Sequence, residues 1–515
     1  MTASRNSKTS PISELLAVAA VLAAISSAAA GWFYAHDYLY DYGDAESHLN
    51  IARRLFDSRT PNYEQIGTVW LPLPHLLVAP LARNDELWRS GLAGAIPSAL
   101  CLVAAGVFLF AGVRRLYSST AAGVTAALLL ALNPNILYLQ STAMTEPVFL
   151  AAMGALLYFL ALFRDTQSVL AVAAAGLSAT SAALTRYEGW FLPPIACALV
   201  LLLAKKRRAT AAILFFSLAC AGPLYWLAHN WWCFGDALEF YRGPYSAKAI
   251  AQRDPLRFIG QGDWAKTFLY YRTAVAWCAG RPLLALAAIG TAAGLIRRAW
   301  WPLPLLAATP LLTIWSMHAG DTRIYVPDLW PNTYYNARYG LLSMPLLAVT
   351  AAGLVALLPR WRGIPAALVV LAGVSAWIVY PRMEGWICWK ESRVNSEARR
   401  AWTGETAAYL RASYRGGGIL TSFGDLAGVY RQAGIPLKEV LHEGNEPYWQ
   451  AAVARPNLML HEEWVVSIAG DKVSAAIGNS GSGYGIVCRI VVKGAPAIEI
   501  RRRGYTVIIE MRGSR

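Results

Sequence analysis

Apolar residues in this chain come in long uninterrupted runs, and charged and aromatic residues are concentrated in the stretches between them. A hydrocarbon core of about 30 Å takes roughly 20 consecutive apolar residues to cross as a helix. Runs of that order predict about eleven transmembrane helices, near 11–30, 92–113, 121–139, 147–163, 169–184, 190–204, 211–227, 274–296, 302–317, 340–358 and 364–380. Two intervening stretches, 31–91 and 228–273, are long enough to carry helices of their own. Beyond 380 the runs stop, and Gly, charges and short β-rich segments follow. There the pattern predicts helices at 406–414 and 425–432, strands at 419–423, 463–468 and 486–492, and a turn at Gly416-Gly417-Gly418. The Gly triplet lacks the Lys-Ser/Thr of a phosphate-cradling loop. The expected architecture is an all-α polytopic membrane domain over 1–380, followed by a small α/β domain over 381–515.

Composition sharpens this picture. With 56% apolar and 15% charged residues and a mean hydropathy of +0.37, the chain has too little polar surface for a water-soluble protein of its size. Basic residues fall at alternate run ends: Arg5 and Lys8, Arg114-Arg115, Arg164, Lys205-Lys206-Arg207-Arg208, Arg297-Arg298, Arg360 and Arg362. Short loops rich in Lys and Arg stay cytoplasmic, which predicts a cytoplasmic N-terminus and an extracytoplasmic C-terminal domain. Ala28-Ala29-Ala30 after a basic start also fits a secretory signal, and its removal would leave the orientation unchanged. The net charge of +15 is read as topology plus a basic tail around Arg501-Arg502-Arg503. Scattered over separate loops, it forms no stripe for nucleic acid.

All seven histidines and most acids then lie on the outer side. The seven cysteines include no CxxC pair, so no zinc or thioredoxin-like motif is indicated. Cys233, Cys278, Cys388 and Cys488 fall on or near the side where disulfides form, and a Cys388–Cys488 bridge is one pairing the sequence allows.

The first outer loop opens with carboxylates beside a membrane span: Asp37, Asp41, Asp44 and Glu46, with His36 and His48. Ionisable groups so placed usually serve function. Asp44 also suits the N-cap of a helix starting at Ala45. Leu49, Ala52, Leu55 and Phe56 recur at helical spacing, as in a helix lying on the bilayer surface. If that helix extends back, Asp41, Asp44 and His48 share a face, whereas Glu46 does not. Farther on stand His75 after Leu71-Pro72-Leu73-Pro74, and Glu146 before Pro147. Arg186 and Glu188 lie in Thr185–Trp190, Tyr245 in the long loop, and Arg338-Tyr339 in Tyr334–Gly340. An Arg at the membrane edge suits a phosphate, which it binds in a forked geometry. Together these groups suit a reaction in which a lipid-borne phosphate is held by Arg and a carboxylate takes a proton from an incoming hydroxyl. Sugar transfer from a polyprenyl phosphate is such a reaction, because a charge-stabilised phosphate leaves without a general acid.

In these motifs the chain resembles the GT-C superfamily of membrane glycosyltransferases. It is similar to the polyprenyl-phosphate-sugar-dependent protein O-mannosyltransferases and aminoarabinose transferases. Asp44-Ala45-Glu46 matches their acidic motif of the first outer loop, and Leu71-Pro72-Leu73-Pro74 their Pro-rich segment. The resemblance covers about 1–380. It implies catalytic Asp44 and Glu46, and a cavity lined by Asp41, His48, His75, Glu146, Arg186, Glu188, Tyr245, Arg338 and Tyr339. The adjacent acidic pair of some relatives is missing, so Asp44, Glu46 and Asp41 all stay open as the base. The implied partners are a polyprenyl-phosphate-linked sugar donor, an acceptor that is a lipid, protein or glycan, and the lipids of a bacterial inner membrane. A divalent cation, Mg or Mn, is a candidate cofactor with no diagnostic spacing. The alternative is a transporter or lipid flippase, which would place ionisable groups near the bilayer midplane; here the runs are almost free of charge at their centres.

Overall fold

The structure, a computed structural model, describes residues 11–253, 258–357, 363–505 and 509–512. Arg5, Lys8, Arg360 and Arg362, used above for orientation, lie outside the described residues. The chain folds into two compact units. One comprises Met1–Asp37, Thr68–Pro74 and Ala95–Glu391; the other comprises Tyr38–Gly67, His75–Gly94 and Ser392–Arg515. These compact units do not coincide with the single boundary expected at 380. Two stretches of the first loop fold with the C-terminal residues, because their buried carboxylates Asp41 and Glu46 find guanidinium partners there, Arg393 and Arg431.

The first unit is helical. Among the described residues five helices are long and apolar enough to cross a membrane: Ile12–Ala35, Leu92–Tyr117, Glu146–Thr166, Arg208–Phe234 and Ala337–Ala356. The pair Trp264–Ala279 and Arg281–Ile296 adds a sixth if it counts as one span. The chain is an integral, multi-pass membrane protein. Length and apolarity alone do not reach the expected eleven. The run 121–139 divides into Thr120–Ala131 and Pro134–Gln140, with Asn133 capping the second through Oδ1 to the N–H groups of Asn135 and Ile136. The run 274–296 is not one helix either: it bends by 105° at Gly280, whose φ of +83° suits glycine and whose position precedes Arg281-Pro282.

Small residues let these helices approach closely, as is usual where lipid offers no hydrophobic driving force. A Cβ on Gly290 would stand 2.1 Å from Thr350 O, and one on Gly353 3.0 Å from Gly290 O, so Arg281–Ile296 and Met344–Ala356 meet backbone to backbone. Gly176 and Gly222 do the same between Val169–Ala183 and Arg208–Phe234.

The second unit carries a six-stranded sheet of order β2-β1-β3-β5-β4-β6, from β1 (Ile419–Thr421), β2 (Val440–Leu441), β3 (Trp464–Ile468), β4 (Tyr484–Val491), β5 (Ile498–Arg503) and β6 (Ile509–Arg512). β1 pairs in parallel with β2 and β3, and β5 runs antiparallel to β3 and β4. The parallel strands are buried on both faces and read as continuous apolar runs, packing with Trp449, Val473 and Ile477. Gly416, Gly417 and Gly418 all have positive φ before β1, as a turn there requires. Arg501-Arg502-Arg503, expected as a basic tail, instead lies in β5. Arg501 is buried against Glu499, 2.7 Å away.

Candidate active site

Buried charge in the first unit meets where Arg186 and Arg338 converge on Glu146. Glu146 is the first residue of Glu146–Thr166, where the helix dipole favours a carboxylate, and it is 1% exposed. Its Oε1 accepts from Arg186 Nη1 at 3.0 Å and from Arg338 Nε at 3.2 Å. Arg186 also donates from Nε and Nη2 to the two oxygens of Glu188, at 3.3 and 3.0 Å, and from Nη1 to Thr145 Oγ1. Burial alone would lower the Arg186 pKa, but the carboxylates of Glu188 and Glu146 more than reverse this and hold it raised. The Tyr339 ring faces both guanidiniums, 4.6 Å from Arg186 Cζ and 5.7 Å from Arg338 Cζ. Five residues expected from three separate motifs, Glu146, Arg186, Glu188, Arg338 and Tyr339, thus form one buried network.

Glu146 Oε2 is buried and accepts no hydrogen bond among the described residues. A buried carboxylate oxygen without a donor is costly, and a ligand hydroxyl would satisfy it.

The turn carrying Arg338 is held by a residue the sequence did not single out. Glu391, 2% exposed, accepts the N–H of Asn336 at 2.8 Å through one carboxylate oxygen and that of Ala337 at 2.9 Å through the other. Asn336 is left-handed, with φ +55°, which the short amide side chain tolerates. Gly340 completes the turn: a Cβ there would lie 2.8 Å from the backbone C and O of Ala274, so only hydrogen fits. Asn135 ties the same region together, accepting from Cys388 N–H through Oδ1 and donating from Nδ2 to Cys278 O.

Tyr245, by contrast, is 58% exposed on a turn between Glu239–Arg242 and Ala247–Arg253. A pocket of about 720 Å³ opens at the Gly280 bend, lined by Trp277, Asp328, Trp377, Tyr380, Arg382 and Glu384. None of the expected site residues lines it.

The other candidates, Asp41, Asp44, Glu46, His48 and His75, belong to the second unit. The helix there is Gly43–Arg54, with Tyr42 at the N-cap and no side-chain cap. Asp44 therefore stands inside the first turn and is not the cap, and Asp41 lies outside the helix. Nor does this helix lie bare on a bilayer surface: Glu46, His48, Leu49, Asn50, Ile51 and Arg53 are buried, and Arg53 is paired with Asp57 and Asp85.

Each buried acid in this unit has a basic partner. Asp41 is 1% exposed. Both its oxygens accept from Arg393 Nη1, at 3.3 and 3.1 Å, and Arg400 Nε is 3.5 Å away. Burial raises its pKa against the pull of these arginines. Glu46 Oε1 accepts from Arg431 Nε at 2.7 Å, and Arg431 lies on the Tyr40 ring at 3.3 Å. His48 Nδ1 and His75 Nε2 share a hydrogen bond of 2.8 Å. Asp44 alone among these carboxylates keeps partial exposure.

Among the described residues no three His, Cys, Asp or Glu side chains converge on a point where a metal ion could sit. Glu146 and Glu188 are already held by arginines. The donor set among the described residues does not fit Mg or Mn.

The family model described as dolichyl-phosphate-mannose-protein mannosyltransferase matches residues 88–232. The structure is similar to that of ArnT from Cupriavidus metallidurans bound to undecaprenyl phosphate, with a TM-score of 0.56 and 13% identity over 95% of this chain and 97% of that one. It is also similar to ArnT of the same organism in the apo state, with a TM-score of 0.50 and 14% identity over 88% and 93%. No curated protein matches the chain by sequence. The resemblance drawn from the motifs thus meets an independent likeness of fold over nearly the whole chain.

Proposed function

We propose, from the premise that the chain is a GT-C glycosyltransferase with a lipid-linked donor, that it moves a sugar from a polyprenyl phosphate to a hydroxyl acceptor on the outer face of the membrane. One observation carries this reading: a buried carboxylate, Glu146, binds two guanidiniums through one oxygen and keeps the other for a ligand hydroxyl. Arg186 is committed to Glu188, Glu146 and Thr145 and holds the cluster together. Arg338, which donates to Glu146 and lies 3.9 Å from Glu391, is the group assigned to the donor phosphate, which a guanidinium binds in a forked geometry.

In the reaction the acceptor oxygen attacks the anomeric carbon, and the bond from that carbon to the phosphate oxygen breaks. The phosphate leaves with the electron pair. A guanidinium stabilises the developing charge, so the leaving group needs no proton. The acceptor proton passes to a carboxylate base, which we assign to Asp44. Asp41 and Glu46 are buried, whereas Asp44 keeps partial exposure.

The membrane reading completes the proposal. The shorter apolar helices Thr120–Ala131, Val169–Ala183, Tyr187–Leu203 and Gly363–Val379, together with Pro302–Ala319, would bring the count to eleven. The N-terminus would be cytoplasmic and the C-terminal residues outside, in a bacterial inner membrane. Single cysteines placed at Ser118 and Thr210 should then be labelled from the cytoplasm, and one at Gln450 from outside; labelling of Gln450 from inside overturns the orientation. Purified protein given a radiolabelled polyprenyl-phosphate sugar should transfer the label to an envelope lipid, protein or glycan fraction. Movement of intact donor across vesicles without release of polyprenyl phosphate would favour the flippase.

A further inference from the structure

Two cysteines meet behind the turn that carries Arg338. Cys278 is the penultimate residue of the helix Trp264–Ala279, two residues before the Gly280 bend, and Cys388 lies in the first turn of Ile387–Asn395. Both are 0% exposed free thiols, and burial, with the Cys278 side chain beside it, holds the Cys388 thiol well above its usual pKa. The backbone fixes the pair from both sides, since Asn135 accepts from Cys388 N–H at 3.0 Å and donates to Cys278 O at 3.1 Å. Cys278 Sγ further donates to Ala337 O at 3.1 Å. Glu391, which holds the N–H groups of Asn336 and Ala337, lies on the same short helix as Cys388.

We propose that Cys278 and Cys388 are joined in the mature protein as a disulfide that locks the Ile387–Asn395 helix, and with it Glu391, against the turn bearing Arg338. The inference rests on the outward orientation proposed above, because structural disulfides persist in oxidising compartments. Oxidation proceeds by thiol–disulfide exchange with a disulfide-bearing oxidant. One thiolate attacks the oxidant's disulfide and forms a mixed disulfide. The second cysteine gives up its proton and displaces the oxidant's sulfur. One S–S bond forms in this chain and one breaks in the oxidant, which leaves as a dithiol. The S–H bond from Cys278 to Ala337 O is lost, and a covalent link replaces it as the tie between the two helices. Cys101, Cys197 and Cys220 lie in apolar helices and are not part of the proposal.

The test begins with the full-length protein in native membranes, alkylated with N-ethylmaleimide during lysis, denatured, alkylated again and digested without reductant. The peptides containing Cys278 and Cys388 should be recovered linked, two hydrogens lighter than their sum and free of maleimide. Recovery of both cysteines as maleimide adducts overturns the proposal, and the labelling of Gln450→Cys then shows whether the orientation fails with it or stands alone. As a functional readout, dithiothreitol should raise the KM for donor several-fold and lower the melting temperature of the native protein. The double variant Cys278→Ser/Cys388→Ser should respond to the reductant in neither respect. Equal sensitivity of native and double-serine proteins would also overturn the proposal.

Discussion

Glu391 and Arg338 are 3.9 Å apart, yet the stronger link between them runs through the backbone: the Glu391 carboxylate clamps the two N–H groups just before the arginine. A charged acceptor bonded to two buried amides contributes on the order of 1.5–3 kcal/mol per bond. Glu391→Gln keeps the volume but can offer only one oxygen. The expected result is a rise in donor KM of about tenfold with a smaller fall in kcat, measured by varying the donor at fixed acceptor. An unchanged KM would mean that the turn holds without its clamp.

Arg186 and Arg338 should separate into stability and binding. Arg186→Ala removes the guanidinium shared by Glu146 and Glu188 and leaves Glu146 with Arg338, which costs about 3–5 kcal/mol and should appear as lost melting temperature or lost expression. Arg338→Ala should fold and bind donor weakly, and Arg338→Lys should fall between it and the native protein, because charge survives while forked hydrogen bonding does not. Equal donor affinity in all three proteins would remove Arg338 from the site.

Asp44→Asn should insert and bind donor yet lose turnover by roughly 10²-fold or more, the usual scale for removing a positioned base. Since Asp44 lies within the helix and does not cap it, loss of a cap cannot explain such a defect. Glu46→Gln serves as the contrast, because its partner is Arg431 and its defect should be one of stability. Near-normal turnover by Asp44→Asn would move the base elsewhere.

A pH effect is expected from His442. It is fully buried and stacks on Phe423 with ring centroids 4.4 Å apart. Its Nδ1 accepts from Gly444 N–H, and burial, with Arg54 nearby, holds its pKa well below the usual imidazole value. Because the unfolded chain takes up the proton first, the stability due to neutral His442 is present above about pH 6.5 and is lost as pH falls below it, by up to about 1.4 kcal/mol per pH unit. Glu443, whose pKa burial raises, acts in the opposite sense. The comparison with His442→Gln isolates the imidazole: melting temperature should fall more steeply with acidity in the native protein than in the variant. Parallel slopes would exclude His442 as the source.

The residues of the Glu146 network were legible because a charge between apolar runs is expensive and so conspicuous. What joined them was not legible, because Glu146, Arg186 and Arg338 are distant in sequence and leave no periodic signal. Glu391 was missed for a related reason: it sits in a stretch with five basic residues, 382–400, and the amides it holds come more than fifty residues earlier in the chain. The same holds for Arg393, Arg400 and Arg431, whose partners Asp41 and Glu46 come far earlier in the chain. Apolar periodicity located the helices well but overlooked the break at Gly280, although Gly280-Arg281-Pro282 offered a signal. It also missed β5, because Arg501-Arg502-Arg503 look like a solvated tail until Glu499 and Glu463 are found beside them.

Gly340 carries a consequence for inherited variation. Its hydrogen faces the Ala274 backbone, so even the mildest replacement, by alanine, forces the neighbouring guanidinium out of place while every polar group in the network keeps its identity. A catalogue of alleles ranked by lost charges or hydrogen bonds would score such a change as harmless. The chain's tolerance of drift is therefore narrower than its chemistry suggests, at a position that need never touch a substrate.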